Sequence, residues 1–184
     1  MRTKYINMLE LEQLRYPVGK FSKPEFSSPE QTKSWIQDIE ELPGLLAREL
    51  NGLSELDLLQ TYRSGGWNIN QVVHHLADSH MNSFIRFKLS LTEHHPVIKP
   101  YLEDAWAEMP DDKLLHFEPS LQILVNLHVR WVYLLQNMTP EDFTQGYIHP
   151  EKNRLVTLEE ATSLYAWHGR HHLEHIRIAK RTQN

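Results

Sequence analysis

The sequence contains no cysteine among its 184 residues. This absence excludes disulfide bonds, thiolate ligands for a metal and a cysteine nucleophile. Any metal ion bound by the chain must therefore have histidine and oxygen ligands. Glycine is scarce as well, with seven residues, and alternating β-branched segments are few, which argues against a β fold.

Long apolar segments and an excess of basic residues are also missing. No stretch approaches the roughly 20 apolar residues of a membrane span, and the N-terminus lacks the pattern of a secretory signal. The formal net charge of −5 disfavours a nucleic-acid partner, because binding to phosphates needs a basic surface. From these features we expect a cytoplasmic protein without a membrane or nucleic-acid partner.

Prolines and a glycine near the N-terminus separate an arm from the rest of the chain. Residues 1–27 are interrupted by Pro17, Gly19 and Pro24, and these residue types break regular helices. We predict an extended N-terminal arm that packs on its own domain or on a neighbouring subunit. Residues 28–184 are predicted to form a single domain.

Periodic apolar residues in this domain predict four long helices. The helices are expected over 29–50, 69–92, 119–138 and 158–180, with short helical turns near 54–59 and 139–142 and an irregular segment over 100–110. The first helix contains Pro43-Gly44, which we expect to kink or split it. Four long helices with connections of moderate length are typical of an all-α four-helix bundle.

Histidine is abundant, with twelve residues, and many of them lie on two of the predicted helices. His168 and His172 are four residues apart on the last helix, so both imidazoles project from one face and can reach one metal ion. At about 100° per residue they lie near the centre of the apolar stripe of that helix. His171 and His175 have the same spacing but lie farther from the centre, so we favour His168 and His172. His128, on the third helix, is interpreted as a core or boundary residue.

The histidines of the second long helix leave two interpretations open. His80 lies in the apolar stripe of that helix, whereas His75 shares a polar face with other side chains, namely Asp78, Asn82 and Arg86. Either His80 is the inward ligand, or the polar face lines a wet cavity into which His75 reaches. Histidines on two helices are what a metal site inside a helical bundle requires.

Five segments of the chain carry a family resemblance. They are Tyr16-Pro17-Val18-Gly19-Lys20-Phe21, Gly65-Gly66-Trp67, the run from Gln71 to Asn82, Ile85-Arg86-Phe87-Lys88, and Trp167-His168-Gly169-Arg170-His171-His172. These segments, which extend over most of the chain, resemble the YfiT family. That family is described as metal-dependent hydrolases within the DinB-like superfamily, which is related to bacillithiol S-transferases.

The resemblance implies a DinB-like four-helix bundle that binds one divalent metal ion per chain, zinc or nickel, with zinc favoured. It implies that the ligands are His75, His168 and His172, which agrees with the helical phase on the last helix and selects His75 over His80. On this assignment, His80→Ala is expected to leave the metal in place and to affect mainly packing. The resemblance also implies a homodimer.

Two enzymatic functions are compatible with three histidine ligands and an open coordination position. The first is hydrolysis of a small-molecule substrate by metal-activated water. The second is transfer of a low-molecular-weight thiol such as bacillithiol, whose sulfur would replace the cysteine that this chain lacks. Asp78, Asn82 and Arg86 are candidates for orienting ligands or binding an anionic substrate group. A metal-binding stress protein without catalytic activity is a third interpretation.

Overall fold

The structure is a computed structural model that describes residues 8–25 and 27–181. Its elements are α1 (Met8–Arg15), α2 (Pro29–Leu50), α3 (Glu55–Leu58), α4 (Ile69–Thr92), α5 (Glu103–Trp106), α6 (Pro110–Leu114), α7 (Glu118–Gln136), α8 (Pro140–Thr144), β1 (Gly146–His149), β2 (Arg154–Thr157) and α9 (Leu158–Arg181). Within the described ranges, no helix combines the length and the apolar character that crossing a membrane requires.

The four long helices α2, α4, α7 and α9 form the predicted bundle. α2 packs against α7 and α9, and α4 packs against the same two helices from the other side. Local sequence determines where these helices begin. Ser28 accepts a hydrogen bond from the backbone of Gln31 at the start of α2, and Asn68 forms a reciprocal capping box with Gln71 at the start of α4.

Two clusters of buried apolar residues fill the bundle. One contains Leu46, Leu76 and Leu124 among its members, and the other contains Phe87 and Trp131. On both α7 and α9, histidines lie between the residues that belong to one cluster and those that belong to the other. The bundle therefore has a polar layer between two apolar halves, and the candidate site lies in this layer.

Helix α2 is continuous from Pro29 to Leu50, so the expected split at Pro43-Gly44 is absent. Pro43 still removes one hydrogen bond from the helix, because proline has no backbone N–H. The carbonyl of Ile39, four residues earlier, consequently lacks its usual helical donor and is available to another group.

Five short elements among the described residues were not predicted from the sequence, namely α1, α5, α6, β1 and β2. The described part of the arm contains helix α1, and the segment after the second long helix contains α5 and α6. β1 and β2 form an antiparallel hairpin in which Gly146 pairs with Thr157. A Cβ atom on Gly146 would lie 2.2 Å from the carbonyl oxygen of Val156, so the pairing depends on glycine. The arm packs on its own domain, where Trp167 donates a hydrogen bond to the carbonyl of Gly19 at 3.0 Å.

Candidate metal centre

Helices α4 and α9 bring three histidines together. His75 from α4 and His168 and His172 from α9 each offer a ring nitrogen, and these nitrogens lie within 4.8 Å of one another. The Nε2 atoms of His75 and His168 are 3.2 Å apart. Two nitrogens bound to one tetrahedral zinc ion at about 2.0–2.1 Å would be separated by about 3.3–3.4 Å. The observed separation is therefore close to that of two ligands of one zinc ion.

Burial keeps these three imidazoles neutral. It lowers the pKa of His75 to about 4, with a smaller contribution from the nearby His171. Burial also holds the pKa values of His168 and His172 well below the usual range of histidine. A neutral imidazole has the lone pair that a metal ion needs. The donor set thus fits a divalent transition metal.

A chain of hydrogen bonds that begins on α2 determines which nitrogen of His168 is free. The carbonyl of Ile39 can only accept, so Nδ1 of His128 donates to it, at 2.6 Å. Nε2 of neutral His128 then accepts from Nδ1 of His80 at 2.8 Å. Nε2 of His80 in turn accepts from Nδ1 of His168 at 3.3 Å. The remaining nitrogen of His168, Nε2, carries the lone pair, and it faces His75.

The tautomers along this chain are determined because its members are uncharged. Burial lowers the pKa of His128 to about 4, although the hydrogen bond to Ile39 acts in the opposite direction. Burial also holds the pKa of His80 well below its usual range. His80 does point inwards, as helical phase predicts, but both of its ring nitrogens already have histidine partners. His75 is the histidine of α4 whose ring nitrogen lies within 4.8 Å of nitrogens of both His168 and His172.

The three histidines line a cavity of about 370 Å³. Its other charged lining residues are Arg15, Arg63, Glu103 and Asp104. Trp67 covers the site, with its ring centred 4.6 Å from that of His75 and 6.3 Å from that of His172. A second cavity of about 410 Å³ also reaches His168, and Glu103 and Asp104 line both cavities.

The three polar candidates on α4 lie in different surroundings. Asp78 and Asn82 are absent from the lining of both cavities, and Asn82 donates to the backbone carbonyl of Asp78 at 2.9 Å. Burial raises the pKa of Asp78 to about 6, with smaller contributions from Asp112 and Asp111. Arg86 lines the second cavity.

Sequence reasoning missed the lining residues that precede α4 or lie on α5. Arg63 lies in the connection before α4, and Glu103 belongs to the segment 100–110, which the sequence predicts to be irregular. The adjacent glycines are a signal in the sequence for a tight turn near Arg63. Gly65 has a φ of 66°, and a Cβ atom on Gly66 would lie 3.0 Å from Arg63. Two glycines before Trp67 therefore indicate a tight turn that brings the side chain of Arg63 to the site.

A four-helix bundle with a histidine-lined cavity between two of its helices defines the class to which this protein belongs. The chain is a member of the DinB superfamily, whose profile matches residues 38–176.

Individual relatives agree with this assignment. The chain is 48% identical over 163 residues to a Bacillus subtilis protein named "Putative metal-dependent hydrolase YfiT", covering 89% of this chain and 92% of that protein. It is 50% identical over 166 residues to a Bacillus mycoides protein with a similar name, covering 90% and 95% of the two chains.

A solved structure gives the same result. YfiT from Bacillus subtilis matches with a TM-score of 0.90 and 47% identity, over 93% of this chain and 98% of that one. It is described as "a probable metal-dependent hydrolase with an unusual four-helix bundle topology". The resemblance to the YfiT family and the predicted DinB-like bundle are thus confirmed.

Proposed function

We propose that this chain is a metal-dependent hydrolase whose catalytic ion, zinc or nickel, is bound by His75, His168 and His172. The observation that carries the proposal is the pair of Nε2 atoms of His75 and His168, which lie 3.2 Å apart. Three neutral imidazoles suit zinc or nickel far better than magnesium or calcium. Zinc is the expected ion, and the names of the Bacillus relatives support metal-dependent hydrolysis.

Three protein ligands leave at least one coordination position open, which is typical of catalytic rather than structural zinc sites. A divalent ion in such a site acts as a Lewis acid and lowers the pKa of bound water towards about 7. The chain holds the site in shape, because Trp67 packs on the rings of His75 and His172.

Two arginines of the cavity can bind negatively charged groups of a substrate, although Glu103 and Asp104 balance their formal charge. Arg15 and Arg63 both line it. Nε of Arg63 is buried and has no hydrogen-bond partner among the described residues. A carboxylate or phosphate group of the substrate would satisfy this donor through a charge-assisted hydrogen bond. We therefore expect an anionic small-molecule substrate.

Glu103 is a candidate for proton transfer, because it lines both cavities that reach His168, as Asp104 also does. Burial raises the pKa of Glu103, and Asp104 and Glu151 raise it further. A raised pKa makes a carboxylate a stronger base, which suits a group that accepts and returns a proton. We assign this role to Glu103 and leave Arg86 as a candidate for binding substrate in the second cavity.

Transfer of a low-molecular-weight thiol is the second candidate function. It is favoured by the two cavities that His168 lines, because a direct transfer between two substrates needs room for both. In that reaction the sulfur would come from the cosubstrate, since the chain contains no cysteine.

The first experiment is elemental analysis of untagged, dialysed protein, together with His75→Ala and His172→Ala. We expect about one zinc or nickel ion per chain in the wild type and a sharp loss in both variants. His74→Ala is the matched control, because His74 is equally buried but hydrogen-bonds to Ser120 and Leu115. Full metal retention in His75→Ala would disprove the ligand assignment.

Turnover assays on the metal-loaded protein then separate the candidate activities. Cleavage of anionic ester or amide substrates without added thiol supports hydrolysis. Turnover that requires a low-molecular-weight thiol supports transfer and rules out the hydrolase as the main activity. Glu103→Gln is expected to lower kcat while leaving metal content unchanged, because it removes proton transfer but no ligand.

A further inference from the structure

A second group of three histidines lies beside the first on α9. His171, His172 and His175 each offer a ring nitrogen, these nitrogens lie within 4.8 Å of one another, and all three residues are buried. His172 belongs to both groups. We propose that His171, His172 and His175 bind a second metal ion, so that the chain holds two ions with His172 between them.

The nitrogen positions of this group suit a metal ion. The Nδ1 atoms of His172 and His175 are 3.4 Å apart, which matches the spacing of about 3.3–3.4 Å for two nitrogens on one tetrahedral zinc ion. Nδ1 of His171 is buried and has no hydrogen-bond partner in the described part of the chain. An unsatisfied buried nitrogen destabilises the fold, and coordination to a metal would remove this penalty.

His172 can serve both groups because an imidazole has two ring nitrogens. Its Nδ1 lies next to His175, which leaves Nε2 for the site with His75 and His168. Binding through both nitrogens requires His172 to release its ring proton to solvent, as metal binding to protonated ligands generally does.

Aromatic rings hold the other two histidines in position. The ring of Trp167 stacks on His171 with centroids 4.5 Å apart, and the ring of Tyr62 stacks on His175 at 3.8 Å. The same cavity is lined by two cationic and two anionic side chains, those of Arg15, Arg63, Glu103 and Asp104. Their formal charges cancel, so the lining as a whole does not repel a cation.

The second ion is expected to bind more weakly than the first, because the charge of the first ion repels it at short range. It should therefore be lost on dialysis and regained when zinc is added in excess. Calorimetric titration of the metal-free protein with zinc counts both ions and is the appropriate measurement.

The proposal rests on the proposed first site through the shared His172, and two double variants separate the sites. We expect two zinc ions per untagged wild-type chain. His171→Gln/His175→Gln is expected to bind one ion, in the first site. His75→Gln/His168→Gln is also expected to bind one, because it keeps all three ligands of the second site. If His75→Gln/His168→Gln binds as many ions as the wild type, the proposal of the first site is refuted and the proposal of the second site is unaffected.

Another adjacent pair of histidines provides the control for adventitious zinc binding. His94 and His95 stack on each other with centroids 4.1 Å apart and lie outside the lining of the histidine cavity. His94→Gln/His95→Gln is expected to bind two ions, like the wild type.

Equal stoichiometry in the wild type and in His171→Gln/His175→Gln would refute the second site. Circular dichroism verifies the fold, and His171→Gln alone gives the same comparison if the double variant is unfolded.

Discussion

His75 and His80 lie five residues apart on α4 and are both buried, yet their ring nitrogens have different partners. His80 lies between His128 and His168 and bonds to both. His75 instead meets His168 through Nε2. In metal sites the nitrogen that does not bind the ion is commonly held by a hydrogen bond, which orients the ring and sets its tautomer. His80 is in the position to do this for His168.

This hydrogen bond changes the expectation for His80 that the sequence gives. His80→Phe is expected to weaken zinc binding by about 10- to 100-fold, because Nδ1 of His168 loses its acceptor. Competition with a chelator measures the affinity. His74→Phe is the control, since it replaces a buried histidine that bonds to Ser120 and Leu115. Unchanged affinity in His80→Phe would show that the tautomer of His168 is set by something else.

The sequence predicted part of this site because part of it is local. His168 and His172 are one helical turn apart, so their shared face follows from the geometry of a single helix. The choice between His75 and His80 depends on His128 and on the carbonyl of Ile39, which belong to other helices. Helical phase on α4 contains no information about those partners, and the family resemblance was needed to favour His75.

At the scale of the elements, the close approach of α2 and α9 depends on one glycine. Gly169 is buried in the middle of α9, next to His168, and a Cβ atom there would lie 2.8 Å from Cδ2 of Leu42. Leu42 belongs to the apolar core and cannot move away freely. The absence of a side chain at Gly169 therefore allows the two helices to pack closely beside the metal centre.

Gly169→Val is expected to lower the free energy of unfolding by about 1–3 kcal/mol, because it overpacks the contact with Leu42. Gly44→Ala on α2 is the matched helical control. A Cβ atom at Gly44 would meet only Arg48, at 3.9 Å, so this substitution should stabilise the protein by about 0.5–1 kcal/mol. Urea unfolding measures both. Equal effects of the two substitutions would contradict the role assigned to Gly169.

The length of an element explains why the long helices were predictable from the sequence and the short elements were not. α4 and α9 each present several turns of apolar periodicity, which a sequence window detects. The hairpin of β1 and β2 has four residues in each strand, and its register depends on the close fit at Gly146. Helix α1 has eight residues, too few to be stable without packing on the domain. Contacts distant in sequence thus determine the elements that were missed.

At the scale of the whole molecule, buried neutral histidines make the fold sensitive to acid. His128 illustrates the effect, because burial lowers its pKa to about 4 in the folded protein against an ordinary value near 6.5. The unfolded chain therefore binds a proton at a pH where the folded chain does not. The stability linked to His128 is complete above pH of about 6.5 and is lost as the pH falls towards 4.

We expect the metal-free wild type to lose about 2 kcal/mol more stability than His128→Gln between pH 7.5 and pH 5. Urea unfolding of both proteins at the two pH values measures this difference. Parallel pH dependence of the two proteins would mean that His128 is protonated in the folded state, contrary to its burial.

The homodimer implied by the family resemblance stays a prediction about the whole molecule. Helix α7 offers a surface for it, since Val129 and Tyr133 lie one turn apart with 69% and 71% of their surfaces exposed. Exposed apolar patches of this kind often mark interfaces. Light scattering should give twice the chain mass for the wild type and the chain mass for Val129→Lys. A monomeric wild type would exclude the dimer.

Pro43 links the stability of α2 to the hydrogen bonds of the metal centre. A proline inside a helix costs a backbone hydrogen bond, so a redesign for stability would replace it, and Pro43→Ala would restore a backbone donor for the carbonyl of Ile39. That carbonyl accepts the hydrogen bond from His128, at the start of the chain that ends at His168. A redesign that strengthens α2 would thus give this carbonyl a second donor, which would share the acceptor with His128. The stability of α2 and the orientation of His128 are consequently coupled at this position, and a screen for stability alone would not detect a change in the metal centre.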